Sequence, residues 1–326
     1  GGDTDNWMWP RHTGDFSLFR VYAGPDNEPA PYSKDNVPYK PKRFFKINAK
    51  GIKEGDFTMV YGFPGRTNEY LFSDAVKYTA YKSNPHKIAL RTLRLDIQNR
   101  EMAKDPAVRI KYASKNANVS NAWKKWQGEA KGIIKMRAIE NKQEFEANFT
   151  KWSEGKPEYE NLVARFRELY AAIEDISLVR DYQTEALNAV ELVAFAGRGQ
   201  RGAERFYKDY YMPIDKECFI AVMDEFGKNM EGRFRPEYFN AQIKKYGDTA
   251  RWADAIFSKS IFTDEDKVKK LINDSRTDKS AKKNRNKIRK DPAAEFALEF
   301  AGWYNEDIKP HSARLNQALQ LANRDF

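Results

Sequence analysis

The chain has 326 residues, 41% hydrophobic, 14% aromatic and 32% charged, with a net charge of +10. That length and apolar content give a core large enough to fold and exclude a disordered chain, and no apolar run is long enough to cross a bilayer. A positive excess points to a polyanionic partner only where the charges gather in one place.

The chain opens on GGDTDNWMWPRHTGDFSLFRVY, residues 1–22, which is too polar for a core strand and too aromatic for an idle loop. Its first residues form neither a basic n-region nor an apolar h-region, and they give no lead-in to the alternating run that follows. We therefore expect a piece of a longer protein. Up to about residue 72 the chain is rich in Gly, Pro and aromatics. FSLFRVY (16–22) and DFTMVYGF (56–63) are predicted strands, bounded by GPDNEPAP and PGRTNEY, with YKPKRFFKIN extended between them. Such a region suits part of a barrel or sandwich whose other strands lie elsewhere.

From residue 73 the apolar spacing turns helical. KIALRTLRLDIQNREMA places Leu90, Leu93 and Ile97 on one face, and PEYENLVARFRELYAAIEDI does the same with Leu162, Phe166, Leu169 and Ile173. A single helix is predicted over DYQTEALNAVELVAFAG, stopped by Gly197. PIDKECFIAVMDEFGKN, TARWADAIFSKSIF, TDEDKVKKLINDS and DPAAEFALEFAGWYNE complete the set, several opened by Thr or Asp as N-caps. Cys218, the one cysteine, falls on a core position of its helix and excludes an internal disulfide. No fixed repeat period appears.

RTDKSAKKNRNKIRK (276–290) is the one dense basic run, and it reads as a solvated loop or helical-hairpin tip because no aromatics or glycines are interleaved for base stacking. GRGQRG (197–202) follows a helix and lacks the Lys-Ser/Thr ending of a phosphate loop.

The histidines His12, His86 and His311 show no HxH or HExxH spacing, so no metal or other cofactor is expected. His86 and His311 each follow a proline at a helix start and read as ordinary surface residues. His12 stands three residues before Asp15, a pairing that taken alone suggests the orienting half of a catalytic triad. A nucleophile is missing: there is no GxSxG elbow, and Ser17, Ser83 and Ser120 stand in ordinary strand or helix contexts.

The opening stretch resembles the aspartate-bearing segment of the bacterial dipeptidyl-peptidase 7 and dipeptidyl-peptidase 11 family, serine exopeptidases with a helical domain inserted in a chymotrypsin-like double β-barrel. GDFTMVYGFPGRTNEYL resembles the next strand and turn of that barrel, and WADAIFSKSIFTDEDKV and DPAAEFALEFA its helical insertion. The resemblance implies an α+β chain: residues 1–72 as part of the catalytic barrel, and 73–326 as an α-helical lid. It makes Asp15 the triad aspartate, with the catalytic His and Ser outside this chain, so that His12 is not the base. It also implies a clamp for the substrate's free α-ammonium, built from Asn6, Trp7 and Asn121. Without the resemblance Asn121 reads as a helix N-cap before AWKKW. Trp9 and Pro10 read as shaping the loop, and Arg11 as pairing with Asp3 or Asp5. By the same resemblance the partners are peptides with a free N-terminus, the parent is a homodimer, and its place is periplasmic, secreted or at the cell surface. The rival reading is a non-catalytic helical binding module working through 276–290.

Overall fold

The computed structural model describes residues 6–8, 10, 12, 14, 17–59, 61–62, 68, 70–198, 202–274 and 278–325, and the chain divides between Tyr70 and Leu71 into two units.

In the first unit the described residues hold one two-stranded antiparallel sheet, β1 (Tyr22–Ala23) against β2 (Val37–Pro38), with Tyr22 opposite Pro38. The turn after β1 is tied by the Asn27 side chain, whose amide donates to the Lys40 carbonyl at 3.0 Å while its oxygen accepts from the Lys40 N–H at 2.7 Å. One side chain thus supplies the donor and acceptor that a further strand pair would have supplied. The strands expected over 16–22 and 56–63 are largely corrected: residues 17–21 and 56–59 lie outside any ladder. Alternation sets which face a strand would bury, but a strand exists only where a neighbour takes its backbone groups. Here one bond, from Tyr39 N–H to the Val21 carbonyl, extends the ladder.

The second unit is helical. In order it comprises α1 (Ser73–Tyr78), α2 (Asn84–Lys104), α3 (Pro106–Lys135), α4 (Ala138–Ser153), α5 (Leu162–Tyr182), α6 (Glu191–Gly197) and α7 (Ala203–Asp209). It continues through α8 (Met212–Asn229), α9 (Glu237–Tyr246), α10 (Thr249–Lys259), α11 (Glu265–Asp274), α12 (Asp278–Arg289), α13 (Pro292–Trp303) and α14 (Lys309–Asp325). The apolar faces read from spacing are the buried ones: Leu90, Ile97, Leu162, Phe166 and Ile173 are buried, with Leu93 and Leu169 half-buried. Aromatic rings dominate the core. Phe219 meets Trp252 edge to face at 5.3 Å between centroids, and Phe226 contacts Phe239 at 5.3 Å and Phe300 at 5.7 Å. Cys218 packs with Ile97, Val108, Tyr112 and Ile214, and burial pushes its thiol up to about 12, so it behaves as a small apolar side chain.

Two departures from the sequence reading have physical causes. The helix expected over 181–197 is two helices: α5 ends, a π-turn spans Gln183–Leu187, and α6 restarts at Glu191. The restart is imposed from α8, where buried Asp215 accepts from the N–H groups of Glu191 at 2.6 Å and Leu192 at 2.8 Å. Burial beside Glu191 raises the Asp215 carboxyl while those two amides pull it down. Gly197 does end α6, and a Cβ there would lie 3.0 Å from Ala297 Cβ on α13. The caps of α10 and α11 sit one residue away from the threonines that suggested them: Asp248 accepts from Arg251 N–H and Asp264 from Lys267 N–H. Asp291 caps α13 as expected, and its carboxylate also takes the Ser260 hydroxyl and the Ile261 N–H. The basic run is largely helical, in α12, with Lys282, Lys283, Arg285, Lys287 and Arg289 exposed.

Candidate functional site

Of the residues expected to carry chemistry in the first unit, Asp15 lies outside the described residues, as do Asp3, Asp5, Trp9 and Arg11. Asn6 is half-buried and His12 exposed. Trp7 holds a left-handed backbone with φ of 59° and leaves 51% of its surface open. For a bulky residue that conformation is a strained outlier, which persists only where neighbouring structure fixes it.

Asn121 sits in the second unit, exposed and well inside α3. The helix is capped by Asp105, whose carboxylate accepts from the Ala107 N–H at 2.8 Å. The alternative role of Asn121 as an N-cap is therefore corrected: with helix running on both sides of it, there is no orphan amide for it to cap. Asparagine is a poor residue for an exposed helix interior, so helix formation does not explain its presence.

The turn of α3 that carries Asn121 is pinned to α2 on both sides. Before it, Arg91 donates from Nη1 to the carbonyls of Asn118 at 3.1 Å and Val119 at 2.9 Å. After it, the Trp123 indole donates to Thr92 Oγ1 at 2.8 Å. The other arms of the Arg91 guanidinium grip Glu185, with Nε to Oε2 at 2.7 Å and Nη2 to Oε1 at 3.0 Å. Glu185 belongs to the π-turn between α5 and α6, and its side chain is 6% exposed against 16% for Arg91. Trp126 floors the group, with the Arg91 guanidinium 4.6 Å and the Lys87 ammonium 4.4 Å from its ring centroid. Burial lowers the affinity of Lys87 for its proton.

Residues 1–205 match the peptidase S46 family. The chain belongs to the peptidase S46 family. It is 36% identical to an Asp/Glu-specific dipeptidyl-peptidase of Capnocytophaga gingivalis, covering 100% of this chain and 48% of that relative. It is 37% identical to dipeptidyl-peptidase 7 of Porphyromonas gingivalis, covering 99% of this chain and 46% of the relative. The crystal structure of Porphyromonas endodontalis DPP11 in complex with the dipeptide Arg-Glu superposes with a TM-score of 0.80 at 30% identity, over 99% of this chain and 49% of that one. The chain spans about half the length of the curated relatives it matches.

In this S46 chain His86 differs from its expected role as an ordinary surface residue. It is half-buried on the first turn of α2, with Nδ1 2.9 Å from the hydroxyl of Tyr182, a fully buried residue. Burial pulls its imidazole below the usual range. His311 is exposed. Among the described residues no three His, Cys, Asp or Glu side chains are grouped as metal ligands would be, and no described helix is long and apolar enough to cross a membrane. Arg91, Glu185 and Trp126 escaped the sequence reading, because the pair that organises them is separated by 94 positions in the chain.

Proposed function

We propose that the full-length protein is a serine-type dipeptidyl-peptidase that removes dipeptides from the free N-terminus of peptides, and that this chain is its central part. Membership of the S46 family and relatives of both names at similar identity support this reading. What the two names share, removal of a dipeptide, is the activity carried over.

In this reading residues 1–72 contribute to a chymotrypsin-like barrel and 73–326 form its helical lid. The first unit supports the barrel through its apolar side chains: Phe45 and Ile47, two positions apart and so on one face of an extended segment, are each at least 90% exposed in this chain, as an inner barrel face would be when its partner strands lie elsewhere in the parent. Asp15 accepts the Nδ1–H of the catalytic histidine, fixes its tautomer and stabilises the imidazolium formed when the serine hydroxyl gives up its proton. Histidine and serine both belong to the remainder of the parent. Asn6, Trp7 and Asn121 clamp the substrate α-ammonium. Amide oxygens meet its N–H donors and the indole face meets its charge, so a chain that continues past the amine lacks the charge the clamp is built for. The single observation that carries the clamp is Asn121 itself, an exposed asparagine in a helix interior whose flanking turn is fixed from both sides.

The test is turnover of dipeptidyl-coumarin substrates by the full-length enzyme. Activity abolished by a serine-directed fluorophosphonate and absent on N-acetylated substrates supports the proposal, and cleavage of acetylated substrates at an equal rate overturns it. The isolated 326-residue chain should be inactive, having one triad member of three. We further propose a homodimeric parent located in the periplasm or at the cell surface; sedimentation of the full-length enzyme as a monomer would refute the dimer.

A further inference from the structure

We propose that Arg91, with Glu185 behind it, is a positioning residue for the amine clamp, setting the height and rotation at which α3 presents Asn121. The inference rests on the clamp reading of Asn121. Its structural basis is independent of that reading: two adjacent residues of α2, Arg91 and Thr92, bond α3 at Asn118 and Val119 before Asn121 and at Trp123 after it.

The chemistry of this contact is specific to a guanidinium. α3 already satisfies its own interior carbonyls through its helix bonds, so those of Asn118 and Val119 accept from Arg91 with their second lone pairs. Such bonds do not hold the helix together. They fix its register along α2 and its roll about its own axis. The same guanidinium is bidentate to Glu185 and lies over Trp126, so its orientation is fixed by the carboxylate and by the ring face as well as by the carbonyls. Lysine keeps the charge but has no planar fork, and it cannot hold the carboxylate with two arms while donating a third to the carbonyls. The carboxylate comes from a π-turn, the backbone irregularity between α5 and α6. Two other elements, α2 directly and the π-turn through Arg91, are therefore tied to the turn of α3 that carries one asparagine. Bonding an ammonium depends on acceptor oxygens at about 2.8 Å, and a displacement on the order of 1 Å costs as much as about 100-fold in rate.

The experiment is a double-mutant cycle in the full-length enzyme, measuring kcat and KM on free-amine dipeptidyl substrates. Arg91→Lys should lower kcat/KM about tenfold, and Glu185→Gln should lower it less, since an amide still accepts from the fork. In an Asn121→Ala background both losses should vanish, because there is no longer a placed oxygen to lose. If Arg91→Lys costs as much with Asn121 absent as with it present, Arg91 supports the fold generally and the inference is overturned. If Asn121→Ala leaves the free-amine preference unchanged, the clamp reading and this inference fall together. Glu185→Gln keeps the size and shape of the pair, so it carries the test should Arg91→Lys fail to fold.

Discussion

Phe45 in the first unit is 98% exposed and Tyr61 96%, while Phe166, Phe219 and Phe226 in the second are fully buried. The two regions are written in similar residues and differ in where their backbone bonds come from. A helix satisfies its interior amides within one segment, so an apolar stripe on it is free to pack against any neighbour. A strand must borrow its partner, and its apolar face forms only with the sheet. The helical unit of this chain holds its own core, whereas the first unit shows a two-residue ladder and a row of uncovered aromatics. Under the proposed function chemistry and stability are divided the same way, with the triad aspartate in the first unit and the packed scaffold of the clamp in the second.

The sharpest way to break that division is Asp15→Asn in the full-length enzyme. It should lower kcat by on the order of 10⁴ and leave the thermal midpoint of the helical unit where it was; a loss under tenfold removes Asp15 from the triad. Next in size is Phe226→Ala, which empties a site ringed by Phe239, Phe300 and Trp303 and should cost about 3–5 kcal/mol in urea denaturation. Phe45→Ala, compared with Phe226→Ala in the isolated 326-residue chain, should change stability by no more than about 0.5 kcal/mol, and equal effects would erase the contrast. Asn121→Ala should lower kcat/KM about 10- to 100-fold, the cost of one missing acceptor for a buried ammonium, while Lys283→Ala leaves it unchanged. Asp248→Ala, which removes the α10 cap, should cost about 1 kcal/mol, measured as a shift of the urea midpoint.

The smallest effect is one of pH. Burial depresses the His86 imidazole, with Lys82 and Lys228 adding to the shift and Glu225 and Asp181 opposing it. As pH falls below about 6.5, the unfolded chain binds this proton before the folded one does. Stability is therefore full above that value and declines beneath it. His86→Gln keeps an acceptor for Tyr182 and should flatten the decline below about pH 6.5; an unchanged slope assigns it to other groups.

Much of the helical unit was legible because burial and helix period are local properties. Leu90, Phe166, Ile173 and Cys218 are core by spacing alone, Gly197 stops its helix, and Asp291 caps the helix that follows the basic run. The motif around Asp15 likewise carries its meaning in consecutive residues, which is why the family was readable from the sequence. Tertiary structure alone decided the rest. The break before Glu191 depends on the carboxylate of Asp215, 24 positions away, and the ladder at Tyr22 on where Val37 returns. Whether Asn121 ends a helix or stands inside one depended on α3 running unbroken from Pro106. The Arg91–Glu185 grip joins α2 to a π-turn across 94 positions. A sequence fixes the preferences of each segment, but which buried charge meets which backbone group is set only when the chain closes on itself, and no local period records it.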